Sequence, residues 1–126
     1  MEPLYVEPSK TIPEIRLEAG MPLEITGRSI PEDPDEVYAP VMDWLEAFFT
    51  EKPTAQTILE FRLEYLNSGS SKYILEILKR LKEYHDEGFP VLIKWFYEEE
   101  DEAILELGEH YRETTKLPFE LIPVYG

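Results

Sequence analysis

The sequence predicts an α/β domain with a single mixed β-sheet, in which an N-terminal antiparallel hairpin is followed by β-α-β crossovers packed with about three helices. Its length of 126 residues suits one domain, so we expect residues 1–126 to fold as a single unit. Hydrophobic residues make up 43% of the chain, which is enough for a core despite 31% charged residues. After the first third, segments with strand periodicity alternate with segments of helix periodicity, as in crossovers between parallel strands.

The first third of the chain predicts the hairpin. Residues 13–17 and 22–26 each begin with proline and then alternate polar and apolar side chains. Residues 18–21, between them, have the length of a hairpin turn. A shorter extended segment, Leu4-Tyr5-Val6, precedes the pair. The hairpin should therefore bury one of its faces.

The rest of the chain predicts alternating helices and strands. Asp33 is a suitable N-cap for the first helix, and Pro34 suits its first position. The later elements are a strand over residues 57–66, a helix over 72–87 that Gly88 ends, a strand over 90–97, a helix over 101–111 and a strand over 118–123. Because residues 90–97 are largely apolar on both faces, we expect this strand to be central and covered on both sides.

The charge balance excludes several classes of partner. The chain has 27 acidic and 12 basic side chains, so its formal net charge is −15. Such a surface repels the phosphates of nucleic acid and of an anionic membrane, and we expect neither as a partner. A partner with a basic face remains compatible. Cysteine is absent, which excludes disulfides, thiol nucleophiles and cysteine zinc sites.

The sequence also shows no recognisable targeting signal. Residues 1–4 lack the basic region and the apolar run of a signal peptide. No apolar stretch approaches the ~20 residues that span a bilayer. We therefore expect a cytoplasmic protein.

None of the usual catalytic patterns is complete. The stretch Gly27-Arg28-Ser29-Ile30-Pro31 begins like a nucleophile elbow, but proline stands where the second glycine belongs. His110 follows Glu106 by four residues, and two ligands are too few for a metal site. The sequence thus predicts no catalytic residue, no metal ligand and no cofactor.

The acidic run over residues 98–102 leaves two other interpretations open. It is typical of a solvated segment whose last members stabilise a helix N-terminus. One alternative is a small metal-binding acidic enzyme that uses this run together with His110. The other is an acidic decoy that covers a basic protein surface and binds it with steep salt dependence.

The segment Asn67-Ser68-Gly69-Ser70-Ser71 is the candidate regulatory site. It lies between a predicted strand and a predicted helix, whose start offers free N–H groups and the positive end of the helix dipole. A phosphate on one of its hydroxyls would be supported there, and Lys72 is four residues from Ser68. The simpler interpretation is N-capping by Ser70 or Ser71, although one residue can cap while a neighbour is modified.

Several motifs, spread over nearly the whole chain, resemble the SiaC family of bacterial regulatory phosphoproteins. In chain order they are Gly27-Arg28-Ser29-Ile30-Pro31-Glu32, Trp44-Leu45, Phe61-Arg62-Leu63-Glu64-Tyr65-Leu66-Asn67-Ser68-Gly69-Ser70-Ser71-Lys72, Trp95-Phe96-Tyr97-Glu98-Glu99-Glu100-Asp101 and Lys116-Leu117-Pro118-Phe119. No single motif is decisive. The set is specific because it occurs in this order at a matching chain length.

The resemblance implies a non-enzymatic switch. In this family a Ser/Thr protein kinase modifies a hydroxyl after the long strand, and a PP2C-type phosphatase reverses the reaction. The unmodified form binds an output protein, which in the best understood branch is a diguanylate cyclase that it activates. The family's modified residue is typically a threonine directly after the asparagine, and here that position is Ser68.

One departure from the family pattern concerns the residue after this serine. Gly69 stands where the family often has another hydroxyl, which makes Ser70 a second candidate for phosphorylation. The resemblance thus implies modification of Ser68 or Ser70 in a partner-binding segment that also contains Asn67, Gly69, Ser71 and Lys72. The layout is also similar to that of anti-sigma-factor antagonist (STAS) domains, whose phosphorylatable serine begins a helix after a strand.

Overall fold

The computed structural model describes residues 1–126, which form one six-stranded sheet and three helices. The elements are β1 (Leu4–Val6), β2 (Glu14–Leu17), β3 (Leu23–Ser29), α1 (Pro34–Thr50), β4 (Thr57–Leu66), α2 (Ser68–Asp86), β5 (Val91–Glu98), α3 (Glu102–Thr115) and β6 (Phe119–Val124). The spatial order of the strands follows the chain. Pairing is antiparallel from β1 to β3 and parallel from β3 to β6. The predicted mixed α/β sheet is therefore confirmed.

The three helices lie on one face of the sheet. Each joins two neighbouring parallel strands, and the strands advance in one direction across the sheet. Because such crossovers are right-handed, all three helices fall on the same side. Alternate residues of β2 to β5 face them and join the helices in one buried core, which includes Ile15, Ile25, Phe61, Ile93 and Trp95. None of the helices has the length and apolarity needed to cross a membrane.

The expectation that β5 is covered on both sides is wrong. Val91, Ile93 and Trp95 are buried under the helices, whereas Leu92, Lys94 and Phe96 are only half-buried on the uncovered face. On that face the guanidinium of Arg62 stacks on the Phe96 ring, 3.6 Å from its centroid. A cationic side chain, rather than a helix, shields this apolar residue from water.

Two helix boundaries also differ from the expectation. The second helix begins at Ser68 rather than at residue 72, so the polar segment supplies its cap and first turn. The third helix continues past residue 111 to Thr115 and ends where Lys116 adopts a left-handed conformation, with φ of 61°. The Gly88 stop is confirmed, since this residue has φ of +108° directly after the C-cap of α2.

The absence of a side chain at Gly108 allows α3 to pack closely against the sheet. A Cβ at this position would lie 2.5 Å from Trp95 Cδ1 and 2.8 Å from Leu121 Cδ2. The indole N–H of Trp95 also donates to the Ile104 carbonyl at 2.8 Å. The buried Trp95 ring therefore fills the space that a side chain at residue 108 would need.

We expect Gly108→Ala to destabilise the fold by about 1–3 kcal/mol, because overpacking against a rigid indole outweighs the gain in helix propensity. Urea unfolding followed by circular dichroism measures this loss. Glu109→Ala, at an exposed position on the same helix, should leave the free energy of unfolding nearly unchanged. Equal stability of Gly108→Ala and wild type would contradict the close approach.

Candidate functional site

Asn67 fixes the junction between β4 and α2. Its backbone N–H donates to the Ser29 carbonyl at 2.9 Å, which extends the parallel pairing of β3 with β4. Its side-chain oxygen accepts from the Ser70 N–H at 2.9 Å, and its side-chain nitrogen donates to the Pro31 carbonyl at 2.9 Å. The cap is therefore Asn67, and the expectation of capping by Ser70 or Ser71 is wrong. A short amide on an extended backbone satisfies the N-cap while also holding the β3–α1 connection.

Ser70 belongs to a buried hydroxyl cluster under the first turn of α2. The Ser29 hydroxyl donates to Ser70 Oγ at 2.8 Å and lies 2.6 Å from the Tyr38 hydroxyl. All three side chains are fully buried. Burial raises the pKa of Tyr38 to about 12, against the lowering effect of its hydroxyl neighbours. This cluster joins β3, α1 and α2 and keeps the Ser70 hydroxyl away from solvent.

Ser71 is held from the opposite side by α3. The Tyr111 hydroxyl donates to the Ser71 carbonyl at 2.7 Å and lies 2.9 Å from Ser71 Oγ. Burial raises the pKa of Tyr111 to about 12, so this phenol is a neutral donor at physiological pH. The first turn of α2 is thus pinned between Tyr38 and Tyr111.

Gly69 brings the starts of α1 and α2 together. A Cβ on Gly69 would lie 2.7 Å from Cγ of Pro34, the first residue of α1. Glycine is therefore required by the proline ring facing it.

Ser68 differs from its neighbours because its side chain is exposed. It is the first residue of α2, where its own N–H and that of Gly69 have no partner within the helix. Lys72 lies one turn further along and is also exposed. The structure thus brings together the predicted residues 67–72 in one helix start and separates the two candidate hydroxyls, one accessible and one buried.

A cleft of about 340 Å³ opens beside Ser68, between the end of β4 and the start of α3. Its apolar lining comes from Tyr65, Leu66, Ala103, Ile104 and Leu107, and its polar rim includes Glu64 and Asp101. Tyr65 is 58% exposed, more than most aromatic side chains of this protein. An accessible hydroxyl therefore stands at the edge of a partly apolar depression.

The acidic run does not form a metal centre. Asp101 caps α3 by accepting from the Ile104 N–H at 3.0 Å, so the predicted stabilisation of a helix N-terminus is confirmed. Glu99, Glu100 and Glu102 point into solvent. No three acidic or histidine side chains converge in a metal-binding group anywhere in the chain. The elbow-like Ser29 is buried in the hydroxyl cluster described above.

Sequence reasoning missed the residues that hold the site from a distance. Tyr38 and Tyr111 are apolar-face positions by helix spacing, and nothing in that spacing shows that their hydroxyls reach α2. The close approach of Gly69 to Pro34 likewise brings together the starts of two helices that are far apart in the chain. The one available signal for a close approach there is a glycine in the polar segment directly before the predicted helix.

Fold and site together describe a small α/β domain of the regulatory class, with an exposed hydroxyl on a rigid helix start. The chain belongs to the SiaC family of regulatory phosphoproteins, whose sequence pattern matches residues 6–124. An uncharacterized protein of Pseudomonas aeruginosa strain UCBPP-PA14 is 36% identical over 121 residues, covering 94% of each chain. Members of this family are regulatory proteins rather than enzymes.

Solved structures of a family member share the whole fold. SiaC of Pseudomonas aeruginosa superimposes with a TM-score of 0.90 at 32% identity, covering 98% of this chain and 100% of its own. A second structure contains SiaC as the activator in complex with the diguanylate cyclase SiaD of the same organism. That SiaC chain gives a TM-score of 0.89 at 33% identity, covering 96% of this chain and 99% of its own.

We expect Gly69→Ala to lower the free energy of unfolding by about 1–3 kcal/mol, because its methyl group meets the Pro34 ring. In a Pro34→Ala background the same substitution should cost much less, since the opposing ring is gone. Urea unfolding of the four proteins gives this coupling energy. An equal cost in both backgrounds would show that the two helix starts do not press on each other.

The raised pKa of Tyr38 predicts a loss of stability in alkali. An unfolded tyrosine ionises near pH 10, whereas the buried hydroxyl keeps its proton to about pH 12, so the unfolded chain loses protons first. The free energy of unfolding should therefore fall between these pH values. Tyr38→Phe should remove up to about 2–3 kcal/mol of that fall. Parallel stability curves for the two proteins from pH 10 to 12 would disprove the assignment.

Proposed function

We propose that this chain is a non-enzymatic switch in which phosphorylation of Ser68 controls binding to an output protein. A Ser/Thr protein kinase adds the phosphate, and a PP2C-type phosphatase removes it. The proposal depends on one observation: Ser68 presents an exposed hydroxyl on the pinned first turn of α2. Family membership supplies the chemistry, since members are regulatory phosphoproteins.

Accessibility favours Ser68 over the other hydroxyls of the segment. A kinase must bring the hydroxyl oxygen to the γ-phosphate of ATP, which needs a side chain free of the core. Ser70 has no exposed surface and is bonded to Ser29. Ser71 is partly buried and contacts Tyr111. Modification of Ser70 would require the first turn of α2 to open, and modification of Ser71 would require its contact with Tyr111 to break.

A phosphate on Ser68 need not change the fold. It adds about −1.5 to −2 charges at the positive end of a helix, next to two N–H groups without helical partners. The Asn67 cap and the two tyrosine contacts do not use the Ser68 side chain. The phosphate therefore acts on whatever packs over this surface, because burying an unpaired ionised group costs several kcal/mol.

We propose a diguanylate cyclase as the output protein, bound by the unmodified form. The support comes from the complex of the Pseudomonas aeruginosa relative with such an enzyme, together with the shared fold over nearly the whole chain. The kinase reaction consumes ATP, and we therefore place this switch in the cytoplasm. Ser68 replaces the threonine that is typical of the family, and a serine hydroxyl accepts a phosphate by the same reaction.

With the cognate kinase and ATP, we expect the mass of the intact protein to rise by about 80 Da, with fragmentation placing the phosphate on Ser68. Ser68→Ala should stay unmodified and bind the cyclase regardless of kinase. Ser68→Asp should bind at least tenfold more weakly, because it places a charge where the partner packs. Mass spectrometry and calorimetric titration of the cyclase give these results.

Lys79→Ala is the matched control for Ser68→Ala, because it changes an exposed residue of the same helix outside the candidate segment and removes no hydroxyl. It should still be phosphorylated. Phosphate found on Ser70 instead, or wild-type cyclase binding by both Ser68 variants, would rule out the proposed switch.

A further inference from the structure

We propose that the cleft beside Ser68 and an adjacent, acidic cleft together form one docking surface. The occupant is a segment of the output protein with an apolar side chain at one end and lysine or arginine side chains at the other. This inference rests on the proposed function, since it describes the partner that the Ser68 switch controls. It adds the chemical character of the partner's segment and the residues of this chain that contact that segment.

The two clefts are adjacent. The second has a volume of about 380 Å³ and lies along the ends of β4 and β5. Glu64 and Asp101 line both depressions, so the two lie side by side and share these two side chains at their boundary. A single extended segment or short helix can therefore lie across both.

The half next to Ser68 suits an apolar side chain. Tyr65, Leu66, Ala103 and Leu107 line it, and Tyr65 leaves much of its ring in water. Large apolar side chains exposed at the edge of a concave surface are typical anchors for a partner. Burial of this ring by a partner would remove it from solvent without disturbing the core.

The other half suits basic side chains. Glu64 and Asp101 are joined there by Glu98, and none of these three carboxylates forms an ion pair within the chain. Arg62 is the only basic residue of the lining, and it is already engaged by Glu60 at 3.4 Å and by the Phe96 ring. The cleft therefore has unneutralised negative charge that a cationic partner can complement.

Charge also decides between possible occupants. A second copy of this chain would bring another net charge of −15 to an acidic cleft, so self-association there is disfavoured. Nucleic acid is repelled for the same reason. A basic protein segment is attracted at long range by the whole chain and at short range by the three carboxylates without ion-pair partners.

The division into two halves explains how a phosphate could release a basic partner. Ser68 lines the cleft that takes the partner's apolar side chain and does not line the second cleft, so a phosphate there falls first on the apolar contact, with the shared Glu64 and Asp101 between it and the rest of the acidic half. The surface thus predicts that two opposite changes of charge both weaken binding: an added negative charge at Ser68, and removal of negative charge from the acidic half. If overall charge alone governed the binding of a basic partner, the added negative charge at Ser68 would strengthen binding, and only the removal of negative charge would weaken it.

The test titrates the purified diguanylate cyclase of the same bacterium into the unphosphorylated full-length chain at several salt concentrations. The acidic-half variant combines Glu64→Gln, Glu98→Gln and Asp101→Asn, and asparagine keeps the α3 cap. Its control removes the same charge from exposed residues without ion pairs at the opposite end of the sheet, where the parallel strands begin. The control substitutions are Glu18→Gln in the β2–β3 turn and, directly after α1 and α2, Glu51→Gln and Glu87→Gln.

A second pair of variants tests the apolar half. Tyr65→Ser removes the exposed ring beside Ser68. Tyr5→Ser is its control, because it removes another half-exposed tyrosine ring, at the far edge of the sheet. Circular dichroism confirms that each variant is folded.

We expect the acidic-half variant to bind about tenfold or more weakly and to lose most of the salt dependence, while its control keeps both near wild type. Tyr65→Ser should bind about tenfold more weakly with unchanged salt dependence. If the acidic-half variant binds with wild-type affinity, or Tyr65→Ser binds as Tyr5→Ser does, the docking surface is wrong while the switch at Ser68 stands. If the wild-type chain does not bind the cyclase, the proposed output partner fails, and this inference fails with it.

Discussion

The junction at Asn67 is the constraint on which the candidate site depends. One residue closes the parallel pairing of β3 with β4, caps α2 and holds the β3–α1 connection through the Pro31 carbonyl. The hydroxyls of Tyr38 and Tyr111 then fix the first turn of α2 from two sides. Because these contacts use Asn67, Ser70 and Ser71, the side chain of Ser68 is left free on a rigid frame. A group attached to Ser68 would therefore change the surface without moving the residues beneath it.

One-sided packing determines the surfaces that remain for partners. The right-handed crossovers place every helix on one face and every helix start at the same edge of the sheet. That edge collects the cap of α2, the cap of α3 and the ends of β4 and β5. On the uncovered face of the sheet, Arg62 pairs with Glu60 and stacks on Phe96. Unpaired carboxylates and the exposed Tyr65 ring instead lie at the edge that also holds Ser68.

Membership of the SiaC family connects this geometry to regulation. Gly69 follows the exposed Ser68, and the Pro34 ring occupies the space that a side chain at position 69 would need. SiaC of Pseudomonas aeruginosa shares this fold with a TM-score of 0.90, although only 32% of its residues are identical.

The sequence by itself determined the elements and their class. Strand alternation in residues 57–66, the Asp33-Pro34 helix start and the Gly88 stop are local signals, and each matches the structure. The polar segment at residues 67–71 was also visible as a candidate site. Only the tertiary structure decided that β5 is covered on one face, that α2 begins at Ser68 and that Ser70 is buried. These features depend on contacts between distant residues, such as Ser29 with Ser70, 41 positions apart. Periodicity reports which side of one element is apolar, whereas a hydroxyl's exposure depends on what other elements place over it.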